Sequence, residues 1–466
     1  MPVFLSLFSG VLFALALPPA NLAWLGWIAL APLLYAARGR RPLEAVGMGL
    51  LAGGAAGAVV ARWHSDTGAL LLGWLPFLWL AAFFGAAAWA GEAARARSWT
   101  GVRWTVFIAC VGVSAEWLTT FSPLPLNIAV CQGRTVPVIQ IASLTGIWGV
   151  SFLLWLANAT LADALLSPRV RPAPLLLTAG LIALSLGIGH LEQAQAFSRM
   201  ASQAPIRVAA VQDFSPGETA TVAPAAAVNA DVPDRETLSR QATARGAQLI
   251  VWSEDCLGSA YNPQNPGDET NTLARTLRAY MVVGYSDSAH PLPFNCAGLI
   301  TPQGHEAGAY HKMHLFMGER QTNGIGRETS AFSTMLGRVG MEICFDSLYS
   351  DTTRGLAQSS AQIIAMPNFD PPTPQGVLHL LHAAQLPFRA VENRVPFVRA
   401  DSNGASQIIA ADGRIVTQAP LWAPAVIVGS VLLSDGRGTF FTRYGDWFAY
   451  GCVAGAFLLG LRYRKN

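Results

Sequence analysis

The stretch GRVGMEICFDSLYSD, residues 337–351, sets Cys344 between an apolar run and a cluster of acidic and hydroxyl residues. Residues 338–346 read as a strand, so the cysteine falls near a strand end. Two readings follow. Cys344 is either a nucleophile or a small apolar residue filling a core, and a lone buried cysteine is more often the latter. The surrounding chain has to decide.

Of the 466 residues, 52% are hydrophobic and only 13% charged, where a soluble globular chain carries roughly 25% charged residues. The charge is unevenly spread. No Lys, Arg, Asp or Glu precedes Arg38, and most acidic residues lie between 213 and 370. That asymmetry predicts a membrane part and a water-exposed part. A scattered net charge of +3 does not suit a nucleic-acid partner. The six cysteines (110, 131, 256, 296, 344 and 452) show no CxxC spacing. Neither a disulfide framework nor a zinc site is expected from them.

Apolar runs lie at 3–17, 22–37, 45–61, 69–90, 102–119, 136–163, 173–190 and 447–461. Most reach the ~20 residues of a spanning helix, while the first two are short and joined by the turn PPAN. The first run has no basic residue before it and leads straight into another apolar segment, which marks a retained helix, not a secretory signal. With eight spans, the basic clusters at 38–41, 95–103, 169–171 and the terminal RYRKN all fall on the side of the N-terminus. Positive charge marks the cytoplasmic side. Both termini are therefore expected inside, and the segment between the seventh and eighth helices outside. Small residues at 47–59 suit close helix packing in lipid. Glu116, near the end of a run and followed by Trp117, is a candidate to face substrate, with a plain structural role as the alternative. The expected organisation is a helical membrane domain over 1–192 with about seven helices, an extramembrane domain over 205–437, and a C-terminal helix over 445–466.

From residue 205 the pattern changes to short β-like runs at 205–213, 247–255, 280–287, 294–304, 338–346, 361–368, 396–404 and 406–416. Helical spacing appears at 234–246, 351–360 and 379–394. This alternation predicts a layered α/β domain. Residues 214–233, rich in Pro, Ala and Thr, read as a loop.

Three ionisable residues stand at or beside apolar strands: Glu254 after LIVWS, Lys312 in GAYHKMHLFMGER, and Cys344 after VGMEI. Strand ends are where α/β folds gather reactive side chains. A thiolate is an effective nucleophile, a carboxylate takes its proton, and a lysine stabilises a developing oxyanion. A metal set from His305, His311 and His314 with a cysteine is disfavoured, because the two histidines of HKMH would point to opposite faces of a strand.

The order Glu254, Lys312, Cys344, in the contexts IVWSED, YHKMHL and MEICFD, resembles the nitrilase, or carbon–nitrogen hydrolase, superfamily. The stretches LALPPANLAWLGWIALAPLL (15–34) and VIQIASLTGIWGVSFLLWLANATL (138–161) resemble its membrane branch, the apolipoprotein N-acyltransferases. The resemblance implies an α-β-β-α sandwich on the periplasmic face of the bacterial inner membrane. It implies Glu254 as general base, Lys312 as oxyanion support and Cys344 as nucleophile, with the Phe345 N–H as a further donor. Glu319, in MGER, matches a second carboxylate that orients Lys312, and Asp346 stands where glutamate is common. Phe369 is the aromatic in a stretch where the family carries a tryptophan. Ser253 replaces the usual proline, and RQTNG replaces the usual Tyr-Val-Pro.

The implied reaction moves a fatty acyl chain from a phospholipid, through a cysteine thioester, to the N-terminal amine of a diacylated lipoprotein. No metal or organic cofactor is implied. The alternatives are a membrane-anchored amidase or an acyltransferase with another acceptor, favoured by the altered 214–233 and 367–376 loops, and an inactive scaffold, against which the three intact residues weigh.

Overall fold

Hydrophobic periodicity changes beyond Glu192, and the fold changes with it. The computed structural model describes residues 1–61, 69–122, 125–167, 169–213, 233–316, 318–370 and 377–461. The chain forms two units, one built on Met1–Glu192 with the last helix, the other on Gln193–Pro372 and Leu378–Gly445.

The first unit is helical. Among the described residues, Pro42–Val60, Gly101–Phe121, Ile147–Leu166 and Pro172–Met200 are long and apolar enough to cross a membrane. The run at 69–90 lies in the 27-residue helix Ala69–Arg95, and several other apolar runs are shorter helices. Pro2–Ala16 has 15 residues. The run at 22–37 splits into a 3-10 turn, Ala23–Trp27, and a six-residue helix, Ala31–Ala36. The run at 136–163 is likewise broken: Val136–Ile139 and Ala142–Thr145 precede the helix from Ile147, and Gly146 between them has φ +65°. Small residues decide the packing of Pro42–Ala61 on Ala69–Arg95. A Cβ on Gly49 would lie 2.2 Å from the Gly85 nitrogen, and one on Gly53 would lie 2.3 Å from the Ala81 Cα. Two backbones approach this closely only where neither carries bulk.

The second unit holds twelve described strands: β1 Ile206–Gln212, β2 Leu249–Val251, β3 Tyr280–Asp287, β4 Phe294–Ile300, β5 Glu306–His311, β6 Ala331–Thr334, β7 Gly337–Met341, β8 Ile363–Phe369, β9 Phe397–Ser402, β10 Gln407–Ile409, β11 Ile415–Gln418 and β12 Ala425–Val431. They form two six-stranded sheets, ordered β12-β1-β2-β3-β4-β5 and β11-β10-β9-β8-β7-β6. In each sheet three neighbouring strands run parallel, β1-β2-β3 and β7-β8-β9, and the flanking pairs are antiparallel. The sheets pack on each other, β1 on β9 and β2 and β3 on β8.

Helices cover the outer faces. Leu238 and Ala242 of Arg235–Ala244, with Leu273 and Ala274 of Glu269–Leu277, join Val211, Ile250, Met281 and Val283 in one core. Leu356 of Ser350–Gln358 and Leu386 and Ala390 of Leu386–Asn393 join Ile364, Met366 and Phe397 in another. The layers run helix, sheet, sheet, helix.

Three local readings are corrected. The strand expected over 338–346 stops at Met341, because Cys344 takes φ +46° and opens a 3-10 turn, Cys344–Leu348. The run at 406–416 is a hairpin turned at Gly413, φ +80°. The helix at 379–394 is two, Val377–Ala383 and Leu386–Asn393, with Pro387 starting the second. The 214–233 loop lies outside the described residues save for its last position.

Gly284 in β3 marks where the backbone just beyond β2 presses against its neighbouring strand. A Cβ there would lie 2.4 Å from the Asp255 nitrogen and 2.5 Å from the Ser253 oxygen. Gly284→Ala is expected to destabilise the protein by about 1–3 kcal/mol through overpacking, read as a lowered apparent Tm of the detergent-purified chain. An unchanged Tm would mean that the 253–255 backbone yields freely.

Candidate active site

β2 ends at Val251, and the chain turns through Ser253 to Glu254, whose N–H reaches the Asn368 carbonyl at 3.3 Å. β5 ends at His311, and Lys312 follows. Cys344 follows β7 by three residues. Together they line one pocket of about 660 Å³, with Glu319, Phe345 and Phe369 also in its wall.

Lys312 is the hub. Its side chain is 1% exposed, and Nζ donates to Glu254 Oε1 at 2.7 Å and reaches Glu319 Oε2 at 2.8 Å. Burial works against its charge. The carboxylates of Glu254 and Glu319 and the Cys344 sulfur outweigh that and hold its pKa above the usual lysine range. Asn295 was not singled out from sequence, yet its Nδ2 donates to Glu254 Oε1 at 2.8 Å and to Glu319 Oε1 at 3.0 Å. Its position in β4, opposite the backbone of Lys312, is a register property with no local signature. Both bonds to Glu254 fall on Oε1. Oε2 has no hydrogen-bond partner among the described residues, and so is the oxygen available to take a proton.

Cys344 is 7% exposed, and its thiol donates to the Phe369 carbonyl at 3.3 Å. Burial pushes the thiol well above its ordinary value, the Glu254 carboxylate pushes it further, and Lys312 opposes both. The thiol is neutral at rest. Positive φ at a non-glycine residue is a strained geometry that a tight turn must hold in place. Asp346 supplies the hold. Its carboxylate accepts from the Ile343 N–H at 3.0 Å, the His314 N–H at 2.7 Å, the Met313 N–H at 3.2 Å and the Tyr310 hydroxyl at 2.8 Å. The cysteine turn and the segment after Lys312 are thus tied to one side chain. Burial raises the Asp346 pKa to about 6, against the pull of those donors, which leaves it ionised at neutral pH.

Phe345 packs edge-on to Phe316, ring centroids 5.2 Å apart, and lines the pocket with an apolar wall. Phe369 contributes its carbonyl to the thiol. Glu116 belongs to the helical unit. It is fully buried there, accepting from Ser151 Oγ at 2.6 Å, from the Trp155 indole and from the Ile128 N–H at 3.3 Å. The histidines of HKMH serve separate contacts, His311 stacked on Phe294 and His314 on Tyr349.

Two family descriptions match the chain: carbon-nitrogen hydrolase over residues 207–439, and apolipoprotein N-acyltransferase N-terminal domain over residues 9–160. The apolipoprotein N-acyltransferase of Geobacter metallireducens is 31% identical, across 99% of this chain and 95% of that one. That of Gloeobacter violaceus is 26% identical, across 98% and 94%. Among solved structures, an amidase from Nesterenkonia sp. aligns with a TM-score of 0.40 at 18% identity, covering 52% of this chain and 96% of that one.

Glu342, two residues before the cysteine, is fully buried and accepts from Thr353 Oγ1 at 2.8 Å. Burial pushes its pKa up to about 8 from 4.5. The folded state therefore holds a proton that the unfolded chain releases. The resulting stabilisation is complete below pH 4.5 and is lost as pH rises through 8. Glu342→Gln keeps the shape without a proton to lose. Unfolding of the wild type between pH 5 and 8 is expected to show a loss of up to about 1.4 kcal/mol per pH unit, and the glutamine variant a flatter profile. Parallel profiles would show that Glu342 is already ionised.

Proposed function

This chain belongs to the apolipoprotein N-acyltransferase family, and on that footing we propose that it moves a fatty acyl group from a membrane phospholipid to the N-terminal amine of a diacylated lipoprotein through a thioester on Cys344. The observation that carries the site assignment is the buried Lys312, shared by Glu254 and Glu319 in the pocket that holds Cys344.

In the first half-reaction Glu254 takes the Cys344 proton as the sulfur attacks the ester carbonyl. A C–S bond forms, and the oxyanion is met by the Lys312 ammonium and the Phe345 N–H, which lies in the first turn of a 3-10 helix where N–H groups lack intrahelical partners. The C–O bond then breaks, and the proton on Glu254 passes to the departing lysophospholipid oxygen. In the second half the lipoprotein amine attacks the thioester, Glu254 takes a proton from nitrogen, and the C–S bond breaks with its electron pair on sulfur. The proton returns to Cys344. Glu319 holds Lys312 throughout, and Asp346 holds the two segments that carry Lys312 and Cys344.

Relatives that match nearly end to end carry the acyltransferase name, which favours this reading over a membrane-anchored amidase. Four long apolar helices and the alternating basic clusters support a bacterial membrane protein. The charge pattern supports eight crossings, both termini cytoplasmic, and the α/β unit on the periplasmic side. Substrates anchored in the bilayer would reach such a site by lateral diffusion.

Intact mass of the detergent-purified protein after exposure to phospholipid vesicles tests the reading, with Cys344→Ala alongside. The wild type is expected to gain one fatty-acyl increment that the alanine variant lacks, and to lose it to a synthetic diacylated lipopeptide. An increment lost only to water would move the chain to the hydrolases, and no increment would remove the phospholipid donor.

A further inference from the structure

Beside the pocket a second set of ionisable groups converges on the same sulfur. His382, in the helix Val377–Ala383, and Asp370, just beyond β8, are both buried. A ring nitrogen of His382, a carboxylate oxygen of Asp370 and the Cys344 sulfur lie within 4.8 Å of one another. His382 Nδ1 pairs with Asp370 Oδ1 at 2.7 Å, and Nε2 pairs with Ser347 Oγ at 2.7 Å. Arg399, fully buried in β9, ties the other Asp370 oxygen and reaches Asp401 at 2.8 Å. Burial works to raise the Asp370 pKa, but charge interactions with His382 and Arg399 outweigh it and hold the carboxyl below its usual range.

Hydrogen-bond arithmetic gives this set two states. Ser347 Oγ lies 2.7 Å from His382 Nε2 and 3.0 Å from the Cys344 carbonyl, and one hydroxyl proton serves only one acceptor. With a neutral ring, Nδ1–H donates to Asp370 and Nε2 accepts from Ser347, leaving the carbonyl. With a protonated ring, Nε2–H donates to Ser347, and Ser347 donates to the Cys344 carbonyl. The Ser347 hydroxyl, both ring nitrogens and the Cys344 carbonyl are then all paired. The Asp370–Arg399–Asp401 cluster is common to both states, so protonating the ring adds one positive charge beside the sulfur.

We propose that His382, aligned by Asp370 and Ser347, is a positioning residue that in its imidazolium form stabilises the Cys344 thiolate expelled when the amine breaks the thioester. The inference rests on the thioester reading above. It adds no net proton transfer, because the amine proton still goes to Glu254 and returns to sulfur. Lys312 and Glu254 act on the carbonyl and on the proton, while His382 acts on the leaving sulfur. Charged and titratable groups near the ring are Cys344, Asp370 and His379, with Arg399 and Asp401 on the far side of Asp370's hydrogen bonds.

The test is the pH profile of Cys344 alkylation by iodoacetamide, followed by mass spectrometry of the peptide that carries it, in full-length wild type and His382→Gln. The wild type is expected to rise in two limbs, one for the thiolate beside the imidazolium and one for the thiolate beside the neutral ring. His382→Gln is expected to show one limb, displaced to higher pH, with the rate at pH 7 at least tenfold lower. A single limb in the wild type overturns the proposal, even if the variant does not fold. So does a variant profile of unchanged shape merely scaled down, the mark of a structural role. The same preparations are exposed to phosphatidylethanolamine vesicles. Two limbs without a fatty-acyl adduct would remove the lipid donor and leave the His382 assignment standing, whereas an adduct with a single limb would do the reverse.

Discussion

A lysine ammonium at 1% exposure is the constraint around which the α/β unit is arranged. Removing such a charge from water costs several kcal/mol, and only close partners with their own hydrogen bonds offset it. Glu254, Glu319 and Asn295 supply those partners from three further segments, so β2, β4, β5 and the turn at Glu319–Gln321 must all be in register before the site exists. The Phe316 N–H, 2.6 Å from Glu319 Oε2, fixes the second carboxylate in turn. A cluster this interdependent does not form piecemeal. Its geometry is inherited from the sheets.

The helical unit obeys a different rule. In lipid there is little hydrophobic gain from bringing helices together, so contact depends on close backbone approach and on hydrogen bonds between buried polar groups. Gly49 and Gly53 against Gly85 and Ala81 supply the first. Glu116, with Ser151, Trp155 and the Ile128 N–H, supplies the second. The carboxylate that invited a substrate role from sequence has its oxygens committed to neighbouring backbone and side chains. A buried acid near a helix end carries the same sequence signal in either role.

What the sequence makes legible follows from how local each cause is. Alternating apolar residues announce β1, β3 and β8 within a residue or two, and Glu254, Lys312 and Cys344 are visible because each stands at or beside such a run. The end of β7 is not visible. It depends on Asp346 folding the chain back onto the Ile343 N–H, and on Cys344 accepting a positive φ. β5, β6 and β12 were missed because they owe their state to sheet partners, β4, β7 and β1. Asn295 and the Asp370–His382 pair were missed for a related reason: their partners lie 12 to 41 residues away or further, and no periodicity records such a pairing. The hydrophobic run at 136–163 misled because Gly146 breaks it without changing its hydropathy.

The three carboxyls around Cys344 show how burial alone settles nothing. Glu342 and Asp346 are equally buried and flank Cys344 at the same distance in sequence. Glu342 has one hydroxyl donor and keeps its proton at neutral pH, while Asp346 has four donors and loses it. Hydrogen bonds to the charged form oppose desolvation, and their number decides which wins. Glu254 differs from both, with Oε1 held by Lys312 and Asn295 and Oε2 without a hydrogen-bond partner among the described residues. With the thiol held neutral by burial and by Glu254 itself, thiolate is favoured only once a carbonyl is present to receive it. On the proposed route the sulfur is activated by its own substrate, and until then the thiol rests buried beside Phe345 and Phe369.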